Sequence, residues 1–426
     1  MRPCLRTCLP VIVVLLACMP VLSAPGNNPV SWLPVVEIAS GGGTKGPWRQ
    51  NDSRYDYVDD GTVAFMPGGR LATAWVDQRR KEVLLQAFEP DGRAGGPPVD
   101  VSRSPATFSW MPRIAAGGSD TLHVLWQEII FSGGSHGGDI LYARSLDGGR
   151  SFSPPANLSR SLGGDGKGRL DRDTWSNGSL DLAVGPDGKV YVAWTEYDGA
   201  LWLARSRDGG RSFTPPQRIA GDDARPARGP SLALGNGTTV YLAWTVGEDP
   251  DADIRVSRSP DGGASFAPPV LVGARAARAD APRLALDRHQ RLHLVYMEQA
   301  GKLPAAIRHA RSEGLELAFG SPRTVSAGDE AAKAPHLAAD AQGRVHIAWE
   351  SAQGLRHTWD AGAGFVAPVT VPHSGPDAGS RMGSQQGLLG KKLAAGDGMV
   401  ALTNSSLAPG RGSRAWLMRG RLPHPR

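Results

Sequence analysis

The octapeptide Ser145-Leu-Asp-Gly-Gly-Arg-Ser-Phe152 returns with small changes as Ser206-Arg-Asp-Gly-Gly-Arg-Ser-Phe213 and as Ser259-Pro-Asp-Gly-Gly-Ala-Ser-Phe266. Each copy follows an alternating apolar run and precedes Pro-Pro and a second short apolar run. The Asp can accept hydrogen bonds from the N–H groups of a tight turn, and the glycines can adopt positive φ. A strand, a turn and a strand at a near-constant spacing indicate repeated β-hairpins.

The pattern Ser-x-Asp-x-Gly-x-Ser-Phe is complete in all three copies. It resembles the Asp-box of the BNR, or sialidase-like, β-propellers. The resemblance implies an all-β fold of radially arranged blades, with the boxes as structural turns away from the ligand site. Because unrelated functions share this fold, the resemblance predicts architecture, and activity has to be argued from other residues.

A second repeat accompanies the boxes along the chain. Each copy has an apolar residue followed by Ala, then a turn, then an apolar strand that usually ends in Ala-Trp. The copies start near residues 63, 113, 181, 231, 283, 336 and 392. Seven units of roughly fifty residues predict a single propeller of seven four-stranded blades. Six blades are the alternative, because sialidases proper have six.

Closure of the ring is predicted from the two ends of the repeat region. The last unit lacks a fourth strand after Arg414–Arg419, while Trp32–Ile38 has the pattern of a fourth strand without a blade of its own. Pairing of these two segments would hide both exposed strand edges, as propellers do. We therefore expect an N-terminal strand to complete the last blade.

Several large side chains share equivalent repeat positions, and we expect them to pack in the core. One position holds Trp75, Trp126, Trp194, Trp244 and Trp349; two others hold His123, His293 and His346, and His309 and His357. A further position holds acids that are expected to bind neighbouring N–H groups or arginines: Asp77, Glu128, Glu196 and Glu298.

Residues 1–24 are typical of an export signal, with Arg2 and Arg6 ahead of the apolar run Val11–Ala17. That run is too short to span a membrane. The predicted propeller then occupies residues 25–426.

Two processing sites fit this signal. Leu15-Leu-Ala-Cys18 resembles a bacterial lipobox, which implies cleavage before Cys18 and its lipidation. Cleavage after Ser23 or Ala24 is the alternative. The first predicts a lipoprotein of the periplasm, outer membrane or cell surface, with the membrane reached only through the anchor; the second predicts a secreted protein.

Charge and cysteine content narrow the function classes. The formal net charge is +6 at pH 7, and no Lys/Arg-rich run is present, so nucleic acid is not an expected partner. All three cysteines lie within the first eighteen residues. The predicted domain therefore has neither a disulfide nor a thiol nucleophile.

The long insertions between predicted strands fall on one end of the blades. They are 40–60, 128–139, 159–179 and 372–391, whereas the turns at the other end are short. Insertions confined to one face of a repeat protein mark its binding face. We expect ligands on this long-loop face.

Three tryptophans break the repeat pattern in segments that enter innermost strands: Trp48, Trp110 and Trp175. Aromatic faces suit the C–H surfaces of sugar rings. With the nearby Arg172 they are candidate ligand contacts, and local packing of each Trp is the alternative.

The first residues of the innermost strands are expected to ring the central channel. In order they are Thr62, Arg113, Asp181, Ser231, Arg283, His336 and Lys392. The cations among them, Arg113, Arg283 and Lys392 with His336, could hold a carboxylate or sulfate. Pairing of each cation with an acid of a neighbouring blade, such as Glu128 or Glu298, is the alternative.

Two enzyme classes are compatible with such a mouth. The sialidase resemblance implies three arginines, a Tyr nucleophile and an Asp acid/base, but only Arg113 and Arg283 are evident and the family's arginine motif is absent. Seven-bladed propellers also resemble uronate polysaccharide lyases, in which Tyr or His removes a proton while Arg neutralises the carboxylate. The catalytic candidates are Tyr197, Glu196, His136 and Asp173.

The sequence thus favours an exported propeller that binds an acidic glycan or a cell-envelope protein without turnover. The alternative is a lyase or exo-sialidase acting on acidic glycans. No cofactor is expected. Asp249, Asp251 and Asp253 alternate as calcium ligands do, but the Gly and distal Glu of an EF-hand loop are lacking, which favours a solvated acidic turn.

Overall fold

The computed structural model describes residues 30–47, 49, 52–103, 107–118, 120–132, 135–160, 179–196, 199–222, 224–247, 252–273, 277–312, 316–328, 330–360, 362, 364–375, 381–382, 391–396, 398–408 and 412–423. The predicted signal, including Cys18, lies outside these residues. A short 3₁₀ turn at Pro67–Gly69 is the one helical element within them, and they contain no helix able to cross a membrane.

The chain forms seven blades, as predicted. The segments before the first blade are β1 (Ser31–Trp32), β2 (Val36–Gly41), β3 (Thr44–Lys45) and β4 (Tyr55–Asp56). Blade 1 is β5 (Val58–Phe65), β6 (Leu71–Asp77), β7 (Glu82–Phe88) and β8 (Val99–Asp100). Blade 2 is β9 (Phe108–Ala116), β10 (Leu122–Ser132), β11 (Ser135–Ser145) and β12 (Ala156–Asn157). Blade 3 is β13 (Leu180–Val184), β14 (Val190–Thr195), β15 (Leu201–Ser206) and β16 (Gln217–Ala220).

The remaining blades follow the same plan. Blade 4 is β17 (Ala227–Leu234), β18 (Val240–Val246), β19 (Asp253–Ser259) and β20 (Val270–Val272). Blade 5 is β21 (Arg278–Leu286), β22 (Leu292–Gln299), β23 (Ala306–Ser312) and β24 (Arg323–Thr324). Blade 6 is β25 (Lys333–Ala339), β26 (Val345–Ser351), β27 (Gly354–Asp360) and β28 (Val369–Thr370). After β29 (Arg381–Met382), blade 7 contains β30 (Leu393–Gly396), β31 (Met399–Ala408) and β32 (Gly412–Arg421).

The N-terminal segment closes the ring, as expected. Strand β2 pairs antiparallel with β32 from Val36 opposite Leu417 to Gly41 opposite Ser413, and β1 places Ser31 opposite Arg421. The observed strands begin one residue before the predicted segment, at Ser31, and end three residues after it, at Gly41, with a break at 33–35. Blade 7 therefore combines both ends of the described chain: the edge of β32 is covered, and β2 becomes the outermost strand, as fourth strands are in the other blades.

The core lies between neighbouring blades. The five tryptophans of the repeat position are buried, and the aligned histidines are buried as well. Trp126 of blade 2, for example, packs with Val76 and Val83 of blade 1. Each blade packs only against its neighbours, which explains why the same apolar residues recur once in every blade.

The Asp-box turns have the predicted geometry. In the first box the Ser145 hydroxyl donates to Asp147 (2.7 Å) and accepts from the N–H of Gly149 (2.8 Å), and Asp147 accepts from the N–H of Ser151 (3.0 Å). The other two boxes repeat these bonds. Arginines then connect successive boxes, since Arg144 donates to the carbonyl of Gly209 (2.8 Å).

The strand directions define two ends of the ring. The box turns and the turns between the first and second strands of each blade lie at one end, the Asp-box face. The loops between the second and third strands, and the links to the next blade, lie at the other end, the long-loop face.

Candidate functional site

A bulge in the innermost strand fixes the height of the predicted ring residues. In Met111–Arg113 and Ala281–Arg283 the residue before proline has φ 54° and 56°, and the ladder register shifts there. A bulge accommodates proline, because proline has no N–H to donate to the strand ladder and a bulge already interrupts that ladder. The guanidinium groups that follow donate to the preceding proline carbonyls, Arg113 at 3.2 Å and Arg283 at 3.1 Å.

A small cavity of about 20 Å³, the channel-mouth cavity, lies among the innermost strands. Its polar lining is Arg113, Asp181, Ser231, Arg283, His336 and Lys391, and leucines complete it. Five of the seven predicted ring residues therefore share one cavity. The prediction that they are the first residues of their strands is wrong: Arg113 and Arg283 are both the sixth of nine residues, in β9 and β21, because these strands start before their bulges. Thr62 and Lys392 do not line it: the Thr62 hydroxyl donates to the Lys391 carbonyl (3.0 Å), and Lys392 turns to an acid.

Arg113 carries the most unusual electrostatics of the ring. Its side chain is deeply buried, with 3% of the residue exposed, and its hydrogen bond to Pro112 is its only described one. No carboxylate oxygen of the described residues lies within 4.0 Å of its guanidinium. Burial and then the neighbouring Arg283 lower the pKa of Arg113 to about 9, against the opposing effect of Asp181 and Asp60.

Lys392, in contrast to Arg113, has an ion-pair partner. Its ammonium donates to Glu350 Oε1 of blade 6 at 2.7 Å, and both side chains are buried. Burial opposes the charge of Lys392, but Glu350 and then Asp59 and Asp60 outweigh it, so the pKa of Lys392 is raised. Pairing with an acid of a neighbouring blade, one of the two expectations for the ring, thus holds for this cation.

The acids expected to pair with the ring were the wrong ones. Glu128 accepts from the indole N–H of Trp126 (3.2 Å), and Glu298 pairs with Arg308 (3.2 Å). Both lie on the second strands of their blades, where the side chain two residues beyond the aromatic reaches neighbours in its own blade. Their structural role matches the repeat-position expectation.

Asp60 is a perturbed residue near the ring that sequence reasoning missed. It occupies the bulge of β5 with φ 56°, and its Oδ2 accepts from the N–H of Met111 (3.1 Å). Burial and then Asp59 raise the pKa of Asp60 to about 7, although Arg113 and Lys392 oppose the shift. A carboxyl group with this pKa can exchange a proton near neutral pH. The one signal in the sequence is Asp60-Gly61, which stands where two other repeats have Met111-Pro112 and Ala281-Pro282.

Other ring residues connect blades. Asp181 Oδ2 accepts from the N–H of Leu232 (2.7 Å), and Ser231 Oγ accepts from the N–H of Leu284 (3.0 Å). Above them, Arg228 and Asp280 form a buried pair between blades 4 and 5 (2.9 Å) that the sequence pattern did not identify. Part of the ring is therefore structural.

The remaining candidates do not gather at this cavity. Trp110 is 6% exposed and packs beside Phe108 within blade 2, so the expected stacking surface on Trp110 is closed. Glu196 is half-buried in a turn beyond β14, where its N–H donates to Ala200. His136 lies on β11 opposite Phe131, and its side chain is outside the description.

Several predicted site residues lie outside the described part of the chain: Trp48, Arg172, Asp173, Trp175, Tyr197, Asp249 and Asp251. Asp253 begins β19 and lies 3.4 Å from the guanidinium of Arg255. Within the described residues, no group of three or more His, Cys, Asp or Glu side chains is arranged to hold a metal ion.

No protein-family model and no curated protein matches the chain. Similar solved structures include the polysaccharide lyase Uly1, with TM-score 0.56 at 9% identity over 92% of this chain and 100% of that one. A PL25 ulvan lyase bound to -[GlcA(1-4)Rha3S]- has TM-score 0.54 at 12% identity over 87% of this chain and 93% of that one.

A third similar structure is the GH93 α-L-arabinofuranosidase of Fusarium graminearum in complex with arabinobiose. Its TM-score is 0.50 at 13% identity, over 74% of this chain and 94% of that one. At such identities the likeness shows the fold alone.

Proposed function

We propose that the protein binds an acidic saccharide on its long-loop face, with Arg113 and Arg283 contacting the anionic group at the channel-mouth cavity. The observation that carries this proposal is the buried Arg113 guanidinium, which has no described carboxylate within 4.0 Å. A buried charge without a partner costs free energy, and an anionic ligand would offset that cost. A carboxylate or sulfate matches the donor fork of arginine.

The size of the cavity limits how the ligand enters. About 20 Å³ accommodates a water molecule or part of one anionic substituent and excludes a sugar ring. The sugar itself would rest above the cavity, among the long loops. The two lyase structures support this class of ligand, because both act on polysaccharide and one is bound to a saccharide containing GlcA and Rha3S.

Calorimetric titration with uronate and sulfated oligosaccharides tests the proposal. Arg113→Ala should lose a charge-assisted contact worth about 1.5–3 kcal/mol, a drop in affinity of roughly 10- to 150-fold. The matched control is Arg79→Ala, which removes an arginine of the same face whose side chain is 76% exposed. Neutral oligosaccharides should respond to neither change. Equal losses for the two variants would refute the assignment of Arg113.

A second candidate function, cleavage of the same acidic saccharide, is favoured by Asp60. Its pKa of about 7 suits a general acid or base, and its charge interacts with that of Arg113, although its side chain does not line the cavity. Release of reducing ends, together with the ultraviolet absorbance of an unsaturated uronate, would distinguish hydrolysis from lyase chemistry. Asp60→Asn should abolish turnover while binding persists. Unchanged turnover in Asp60→Asn would exclude this role.

We also propose that the protein is exported and held to a membrane through a lipid on Cys18, with plain secretion as the alternative. The support is the lipobox-like Leu15-Leu-Ala-Cys18. In a Gram-negative host the wild type should fractionate with membranes, and Cys18→Ser should be released or misprocessed. Equal solubility of the two would exclude the anchor. A cell-envelope protein remains the alternative partner of the long-loop face.

A further inference from the structure

The chain enters the propeller at its Asp-box face. Strand β32 runs from the long-loop face at Gly412 to the Asp-box face at Arg421, and its antiparallel partner places Ser31 opposite Arg421. The hydrogen bond from the N–H of Leu422 to the carbonyl of Gly398, in the turn after β30, confirms which end this is (2.8 Å). Anything attached ahead of Val30 is therefore attached at the end opposite the channel-mouth cavity.

The chain between Cys18 and Val30 is short. Eleven residues lie between them, which limits their separation to about 40 Å at full extension. The ten residues of β32 span roughly 33 Å between the two faces. To bring the long-loop face to a membrane, the tether would have to pass along the whole blade and past the loops above it, which uses essentially its entire reach.

The Asp-box face also offers suitable charge. Five exposed arginines on it form no ion pair with any described residue: Arg93, Arg150, Arg207, Arg211 and Arg421. Arginines of this kind are attracted to anionic phospholipid headgroups within a Debye length of the surface. Exposed acids of the same face, such as Asp91, Asp208 and Asp261, offset part of that attraction, so the short tether carries the orientation and the arginines support it.

We propose that the anchored protein presents its Asp-box face to an anionic bilayer and its channel-mouth cavity to the aqueous side. This inference rests on the lipid anchor proposed above and is independent of which saccharide is bound. It identifies the Asp-box face as a membrane-facing surface, and it requires ligands to approach from solution.

Two exposed leucines form a matched pair of probe sites. Leu146 lies in the first Asp-box turn and is 63% exposed, and Leu303 lies in the loop between β22 and β23 on the opposite face and is 65% exposed. Single-cysteine variants Leu146→Cys and Leu303→Cys can be labelled selectively. In the processed lipoprotein Cys4 and Cys8 are removed and Cys18 carries the lipid.

The labelled lipoproteins are reconstituted in vesicles of phosphatidylethanolamine and phosphatidylglycerol that contain a headgroup quencher. We expect loss of fluorescence from the label at 146 and none from the label at 303. Equal quenching, or stronger quenching at 303, overturns the orientation while leaving the anchor intact. If wild type and Cys18→Ser partition alike, the anchor fails and the orientation falls with it. Saccharide titration distinguishes both failures from failure of the binding proposal.

Discussion

Two aspartates at opposite ends of the ring have opposite surroundings. At the Asp-box face, burial disfavours the charge of Asp147, but hydrogen bonds from Ser151 and Ser145 outweigh it and lower its pKa to about 2. At the channel mouth, burial and Asp59 raise the pKa of Asp60 to about 7. The first carboxylate is supplied with donors by its own turn. The second lies in a bulge, where the charges that act on it come from Asp59 and from Arg113 and Lys392 of other blades.

The comparison shows which end of the ring keeps buried charges that its own contacts do not compensate. At the Asp-box face the Ser and Asp side chains form hydrogen bonds within their own turns, so each box satisfies its own donors and acceptors. The channel mouth keeps a buried Arg113 with a lowered pKa and an Asp60 with a raised one. Perturbed groups of this kind concentrate at functional sites, which is why the mouth is the better candidate for binding. Variants at the two ends should therefore behave differently.

The largest effect is expected at the buried ion pair between Glu350 of blade 6 and Lys392 of blade 7. Glu350→Ala would leave the ammonium of Lys392 buried without its partner at 2.7 Å. Removal of one member of a buried pair costs about 3–5 kcal/mol. Urea unfolding of Glu350→Ala beside the double variant Glu350→Ala/Lys392→Met measures this cost. The double variant should recover much of the loss; if it does not, packing rather than charge explains the single variant.

An intermediate effect is expected within an Asp-box. Ser259 is fully buried, donates to Asp261 (2.7 Å) and accepts from the N–H of Gly263 (2.7 Å). Ser259→Ala should cost about 1–3 kcal/mol, because it leaves that buried N–H without an acceptor. Ser265→Ala, at the exposed serine of the same box, is the control. Thermal unfolding that ranks the two variants equally would contradict the local account of the box.

The sequence was sufficient for the Asp-box face and insufficient for the channel mouth, for a physical reason. Box contacts join residues two to four positions apart, such as Ser145 with Asp147 and Gly149, so a motif contains them whole. The seven blades and the closing strand follow from the repeat. Contacts at the mouth join separate blades, as Glu350 joins Lys392, and they depend on where bulges set the strand register.

A smaller effect is expected in the pH dependence of stability. The pKa of Asp60 in the folded protein, about 7, lies above the ordinary aspartate value of 3.8. Its contribution is therefore fully present below pH 3.8 and is lost as pH rises through about 7. Asp147 has the opposite sign, since its folded pKa of about 2 means that its contribution is lost as pH falls from 3.8 towards 2.

Buried histidines also destabilise the folded protein in acid, because burial and then Arg144 lower the pKa of His123 to about 4. Subtracting the wild-type free energy of unfolding from that of each variant, at each pH, cancels this contribution and leaves that of the substituted carboxylate. Stability of Asp60→Asn relative to wild type should rise between pH 4 and 8. Stability of Asp147→Asn relative to wild type should rise only as pH falls below 4. Chemical denaturation across pH 2 to 8 measures both, and parallel profiles would remove the contrast between the two ends.

The smallest change in stability, and the sharpest test, is expected for Arg113→Met. Among the residues that the structure describes, the buried Arg113 guanidinium hydrogen-bonds only the Pro112 carbonyl, so it gives up hydration without an ion pair in return. Replacement of such a charge by an apolar side chain of similar length should leave the free energy of unfolding unchanged or raise it by about 1 kcal/mol. Affinity for the acidic saccharide should fall at the same time, which is the trade-off expected of a residue kept for function.

The same variant gives a second readout in Asp60. Because the positive charge of Arg113 opposes the raised pKa of Asp60, its removal should raise that pKa further, which titration by NMR would detect. A stable Arg113→Met protein with lost affinity and a higher Asp60 pKa would establish the mouth as a site that sacrifices stability for an anion. A variant that unfolds readily while its remaining folded fraction binds normally would make Arg113 a strut between blades, and the contrast between the two faces would then be one of packing alone.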